Sequence, residues 1–131
     1  MSANPASVAI LVFPETTASV VYGLHDLFLS AGRDWGVITD GQPGPELIDV
    51  RLVARAAGAI EVSNGVLISP HATLADCGPA DIVCVPEVNI APGEPLAGRL
   101  DPEVRWLRER YAAGALLAAS CSGAMIFAAA G

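Results

Sequence analysis

The sequence predicts a single α/β domain, with a mostly parallel sheet covered by helices on both faces. Three observations lead there. The segments "SVAILVF" (Ser7 to Phe13), "DIVCVPE" (Asp81 to Glu87) and "ALLAAS" (Ala115 to Ser120) are predominantly aliphatic, as strands buried on both faces are. Between them, apolar residues recur at helical spacing. Finally, a chain of 131 residues that is 53% hydrophobic and 16% charged can bury one sizeable core and is not disordered.

Taken in order, "SVAILVF" is the first strand, ended by Pro14. Thr16 or Thr17 can cap the helix that follows, whose expected buried stripe is Val20, Leu24, Leu27, Phe28 and Ala31, with Gly32 at its C-terminal stop. "IDVRLVAR" (Ile48 to Arg55) reads as the second strand, and "AIEVSNGVLISP" as a hairpin turning at Asn64-Gly65. Within "DIVCVPE", Cys84 reads as a core residue. A Pro/Gly-rich loop leads to Asp101-Pro102-Glu103, a helix start with a cap, an early proline and an early acid. Val104, Leu107 and Tyr111 form the expected inner stripe of this helix, with Arg105, Arg108, Glu109 and Arg110 on its solvated face. Gly114 stops it, and "ALLAAS" is the last strand. Strands alternating with helices make βαβ units, and ligands of such sheets gather at the carboxyl ends of the strands. Pro14-Glu15, Pro86-Glu87 and Ser120-Cys121 are three such ends.

Composition excludes several classes of function. The formal charge is −7, from 14 acidic residues against 7 Lys plus Arg, so the chain has no electrostatic footprint for nucleic acid. Three cysteines, Cys77, Cys84 and Cys121, have no metal-ligand spacing and fit reduced thiols in a cytoplasm. No metal or other cofactor is expected. The N-terminal "MSANPASVAI" lacks the basic and long apolar regions of a signal peptide. Tyr111 through Gly131 holds no charge and reaches the length of about 20 residues that spans a bilayer. Its Ala/Gly content and central Ser120, Cys121 and Ser122 favour a buried strand and helix instead.

The most informative stretch is "ASCSG" (Ala119 to Gly123). It has the small-x-nucleophile-x-Gly form of a nucleophile elbow, a strand-to-helix turn so sharp that only small residues fit beside it. The residue at its tip stands above the sheet at a helix start, where backbone N–H groups and the helix dipole favour negative charge. The N–H of Ser122 is a natural oxyanion donor. A plain buried cysteine between strand and helix is the competing reading.

With these residues in view, the chain resembles the ThiJ/PfpI superfamily, the class I glutamine-amidotransferase-like proteins. The segments "VAILVFPETTASVVYGLHDLFLSAG", "DIVCVPE" and "LLAASCSGAMIFAAAG" carry the resemblance in order and spacing over nearly the whole chain. More narrowly, "VPEVNIAPGEPL" followed by "WLRERYAAGALLAASCSGA" is similar to the amidase-like sensor domain of AraC-type transcriptional regulators. The resemblance implies a flavodoxin-like three-layer sandwich with a nucleophile elbow, truncated at the C-terminus. Residues 1–131 would then be an incomplete sensor domain without the helix-turn-helix domain.

Three departures from the family pattern bear on catalysis. Catalytic members carry an acid in the first helix that contacts the cysteine, and Val20 holds that position. They follow the middle strand with Pro-Gly-Gly, whose backbone N–H completes the oxyanion hole, and the matching residues are Pro86, Glu87 and Val88. Family domains also continue into a further strand and helix, which often supply a histidine. The expected function is therefore ligand sensing in an AraC-type regulator, catalytically degenerate. The expected ligand site contains Glu15, Glu87, Val88 and Gly123. The alternative is a cysteine-dependent hydrolase, hydratase or amidase with Cys121 as nucleophile and Ser122 as backbone oxyanion donor. Glu15, at the first strand end, is placed to approach Cys121, while Glu87 either binds a polar ligand or caps its loop. His25 and His71 read as surface residues. A small-molecule ligand, a homodimer and a cytoplasmic location complete the expectation, with DNA reached only through a separate domain and no membrane contact.

Overall fold

In the computed structural model, which describes residues 4–131, the run Ala6–Val12 forms β1 at the centre of a five-stranded sheet. Side chains of a strand alternate between its faces, and here both faces are covered. Val8, Ile10 and Val12 pack with Ala18, Val21, Leu52, Val62 and Ile68 on one side. Ala9, Leu11 and Phe13 pack with Val83, Val85, Trp106, Leu107 and Ile126 on the other. Each such fully buried aliphatic side chain contributes about 1.5–3 kcal/mol, which is why an uninterrupted apolar run belongs here.

After β1 come α1 (Ala18–Ser30) and α2 (Arg33–Asp40), then β2 (Ile48–Ala54). A short antiparallel hairpin follows, β3 (Ile60–Glu61) with β4 (Leu67–Ile68), and then β5 (Ala72–Thr73). The chain continues through β6 (Ile82–Val85), α3 (Asp101–Ala112), β7 (Leu116–Ala119) and α4 (Ala124–Ala130). The main sheet runs β5-β2-β1-β6-β7, and every pairing in it is parallel. From β1 the chain winds outward through β2 to β5. It then crosses to the other side for β6 and β7, so β1 and β6 flank the topological switch point. Ser7 and Asp81 fasten the opposite end of these strands. The Asp81 carboxylate accepts the Ser7 N–H at 2.8 Å and its hydroxyl at 3.1 Å, and those bonds hold the acid below the usual carboxylate range.

The predicted sheet, hairpin and helix stops are present. Asn64 and Gly65 turn the hairpin with φ of 64° and 73°, and Gly114 follows α3 with φ of 98°. Several details differ from expectation. Leu27 is 67% exposed, because α1 turns Ala18 and Val21 inward, with Leu24 and Phe28 packed beside them. Tyr111 is likewise exposed, because α3 buries Glu103, Trp106 and Leu107. The N-cap positions are Thr17, without a side-chain cap bond, and Leu100, one residue before the expected Asp101. Two elements were not anticipated. α2 contains a glycine and β-branched residues that weaken its helical signal, and β5 is only two residues long.

His25 and His71 are more than surface residues. His71 engages both backbone groups of Leu52, donating its backbone N–H to the carbonyl at 2.7 Å and accepting the Leu52 N–H on its ring Nδ1 at 2.8 Å. Its ring stacks on His25 at a centroid distance of 5.7 Å.

Candidate functional site

The elbow forms where β7 gives way to α4. Ser120 donates its N–H to the Val85 carbonyl at 2.9 Å, tying the strand end to β6. The next residue, Cys121, has a φ of 52°, in the left-handed region that side chains avoid at a cost of about 1–2 kcal/mol. One tight turn, Cys121–Gly123, then leads into α4. Gly123 is buried, and any Cβ there would meet the Pro86 carbonyl oxygen and lie 2.5 Å from that of Val85. The glycine two residues after the cysteine is thus demanded by the close passage of the β6 end. Cys121 itself is exposed, whereas Cys84 is buried in the sheet and Cys77 is half-buried. Burial pushes the Cys77 and Cys84 thiols up.

Ser122 has a second role beyond fitting the turn. Its hydroxyl accepts the Val88 N–H at 2.9 Å and donates to the Val88 carbonyl at 2.9 Å. Val88 is buried, and a buried backbone pair left unsatisfied is costly. One side chain therefore satisfies both groups and staples the loop after β6 to the elbow. The same loop is joined to the end of β1, since the Asn89 N–H donates to the Glu15 carbonyl at 2.7 Å. The three expected strand ends thus meet along one edge, through backbone and Ser122 contacts.

Their acidic side chains are placed less simply. Glu87 is half-buried beside the elbow loop. Glu15 lines a cavity of about 460 Å³ at the carboxyl ends of β1 and β2, and Cys121 is not among that cavity's residues. In the cavity wall, Glu103 is buried and bound by a forked pair of bonds from Arg55, Nη2 to Oε1 at 2.6 Å and Nε to Oε2 at 3.0 Å. Arg55 Nη2 also donates to the Arg99 carbonyl at 3.1 Å. The sequence reading gave none of these three residues a part in a site. Arg55 directly follows β2 and Glu103 sits in the first turn of a helix. Their pairing across 48 positions has no local signature.

Among the described residues, no three or more His, Cys, Asp or Glu side chains gather to hold a metal ion, and no helix is long and apolar enough to cross a membrane.

A parallel α/β sandwich with a cysteine elbow at the carboxyl end of its sheet defines the class of fold. Its fold is that of the ThiJ/PfpI and DJ-1 proteins. No family model matches the sequence, and no curated protein matches it. Solved structures do. A ThiJ/PfpI family protein from Pseudomonas syringae superposes with a TM-score of 0.71 at 22% identity, over 97% of this chain and 46% of that one. An AraC family transcriptional regulator from Pseudomonas putida gives 0.67 at 15% identity, over 95% and 70%. Drosophila melanogaster DJ-1beta gives 0.69 at 19% identity, over 97% and 61%. The chain thus spans from under half to about 70% of the length of these proteins.

Proposed function

We propose that the chain is the ligand-sensing part of an AraC-type transcriptional regulator, a member of the ThiJ/PfpI superfamily whose elbow has lost catalysis. The observation that carries this reading is the Ser122 hydroxyl, which occupies the N–H and the carbonyl of Val88 together. An oxyanion hole needs donors aimed at the developing charge and free of other partners. Of the backbone N–H groups at the positions that match the family's Pro-Gly-Gly, that of Val88 is already spent within the protein. Val20, at the position of the family's helix acid, leaves Cys121 without that partner as well. In this reading a small molecule binds near Glu15, Glu87 and Val88, with Gly123 setting the close approach of the elbow to its loop. Occupancy biases a cytoplasmic homodimer, and DNA is contacted by a separate domain, in keeping with the net charge of −7.

One observation favours the alternative of a cysteine hydrolase or amidase. Cys121 keeps both its exposure and its strained φ of 52°, and strain of this kind gathers at functional sites. Turnover of p-nitrophenyl acetate and of simple amides by wild type and Cys121→Ala distinguishes the two. Equal, background-level rates are expected. A multiple-turnover rate abolished in Cys121→Ala would overturn the regulator reading. Reading the coding frame past Gly131 supplies the independent check. Two basic helix-turn-helix units support the regulator, and a short tail carrying a histidine supports the enzyme.

A further inference from the structure

The two-residue strand β5 lies at the edge of the main sheet, where β2 is its only neighbour. Its attachment begins with a side chain. Leu52 is buried, and a buried N–H needs an acceptor. The ring Nδ1 of His71 supplies it at 2.8 Å, while the His71 backbone N–H meets the Leu52 carbonyl at 2.7 Å. On the far side of β5, the Leu74 N–H donates to the Ala54 carbonyl at 2.9 Å. An imidazole nitrogen accepts only while it carries no proton. One proton on Nδ1 therefore removes the acceptor and sets an N–H against an N–H.

The neighbouring charges bear on that proton. His25, on α1, stacks on the His71 ring at a centroid distance of 5.7 Å, with Asp26 Oδ1 at 3.1 Å from its own Nδ1. Two imidazolium rings so close repel. On β2, Arg51 opposes a proton on His71 and Asp49 favours it. From Ser69 to Leu74 the chain adds no other titratable side chain.

We propose that His71 is a proton-operated latch: in mild acid its ring lets go of Leu52, and the segment from His71 to Leu74 opens from the edge of β2 while the centre of the sheet stays closed. The opening is local because β5 rests on β2 alone, whereas β1 and β6 are each paired on both sides. It bares unpaired backbone on β2, of the kind that accepts another strand. The sign follows from the His71 pKa, which desolvation, His25 and Arg51 hold below the ordinary 6.5. The latch is closed above the free histidine value and is lost as pH falls through the lower folded one. It is independent of the regulator reading, since turnover at Cys121 would sink that reading and leave the latch in place.

Amide hydrogen exchange at pH 7.5 and pH 5, each rate divided by that of an unfolded chain at the same pH, tests the latch. Protection at Leu52 and Leu74 should fall by about threefold or more, below the ceiling of about tenfold per pH unit that one proton sets. At pH 5 these two amides should exchange at rates indifferent to low urea, as local openings do. Ile10 and Val83, at the sheet centre, should stay better protected and respond to urea. His71→Phe keeps a ring beside His25 without an acceptor, so Leu52 should be poorly protected at both pH values. His25→Phe removes the neighbouring charge and should shrink the acid step, which decides the matter if His71→Phe fails to fold. Unchanged Leu52 protection between the two pH values would overturn the proposal. So would a urea response at Leu52 equal to that of Ile10, or an undiminished acid step in either folded variant.

Discussion

At the scale of single residues, the side chains that matter most hold backbone rather than one another. Ser122 satisfies Val88, Asp81 satisfies Ser7, and His71 satisfies Leu52. The last of these makes stability depend on pH. His71 Nδ1 accepts a hydrogen bond only while unprotonated. Its folded pKa lies below the ordinary 6.5, because of desolvation first and then the nearby His25 and Arg51, with Asp49 opposing. A depressed folded value means that the bond's contribution is present above the unfolded pKa and lost as pH falls through the lower folded one. The wild-type melting temperature should therefore drop between pH 7 and pH 5. His71→Asn, whose side-chain oxygen can still accept from Leu52, should flatten that dependence while retaining most of the bond's net worth of about 1 kcal/mol. An equally steep profile in the variant would assign the effect to other groups.

At the scale of elements, the close contact of the β6 end with the turn into α4 is a tight steric constraint. Gly123 has no room for a side-chain carbon against the Val85 and Pro86 carbonyls. Gly123→Ala should cost about 1–3 kcal/mol, as overpacking generally does, read as a lowered urea midpoint with an unchanged slope. Because Ser122 is the adjacent residue, the displacement should also loosen its bonds to Val88 and speed amide exchange there. Undiminished stability in Gly123→Ala would mean that the turn is freer than its geometry indicates. α1 and α3 teach a different lesson. Their helical periods are plain in the sequence, yet each inward face is rotated from the expected stripe. In α3 the rotation brings Glu103 to Arg55, an ion pair formed with a strand far away in sequence.

Across the whole molecule, burial separates the three thiols more sharply than their local sequences do. Cys121 is exposed, Cys77 half-buried and Cys84 buried in the sheet. Burial also disfavours ionisation of the last two, and only a thiolate attacks an alkylating reagent. Iodoacetamide labelling of the native chain, read site by site by mass spectrometry, should therefore modify Cys121 first and Cys77 more slowly. Cys84 should react only on unfolding. Labelling of Cys84 at the Cys121 rate under native conditions would show that the sheet opens far more readily than its packing implies.

The sequence alone determined the parallel sheet, its two helical covers, the Asn64-Gly65 hairpin and the cysteine elbow. Each rests on local chemistry: uninterrupted apolar runs, helical spacing, residues that accept positive φ, and small residues beside a nucleophile. Tertiary structure decided which face of α1 and α3 turns inward, because strands and loops distant in sequence supply the partners. It also decided that Ser122 closes on Val88 and that Glu15, Arg55 and Glu103 line one cavity. A side chain's choice among distant partners depends on where the whole sheet brings them, and no spacing along the chain encodes that distance.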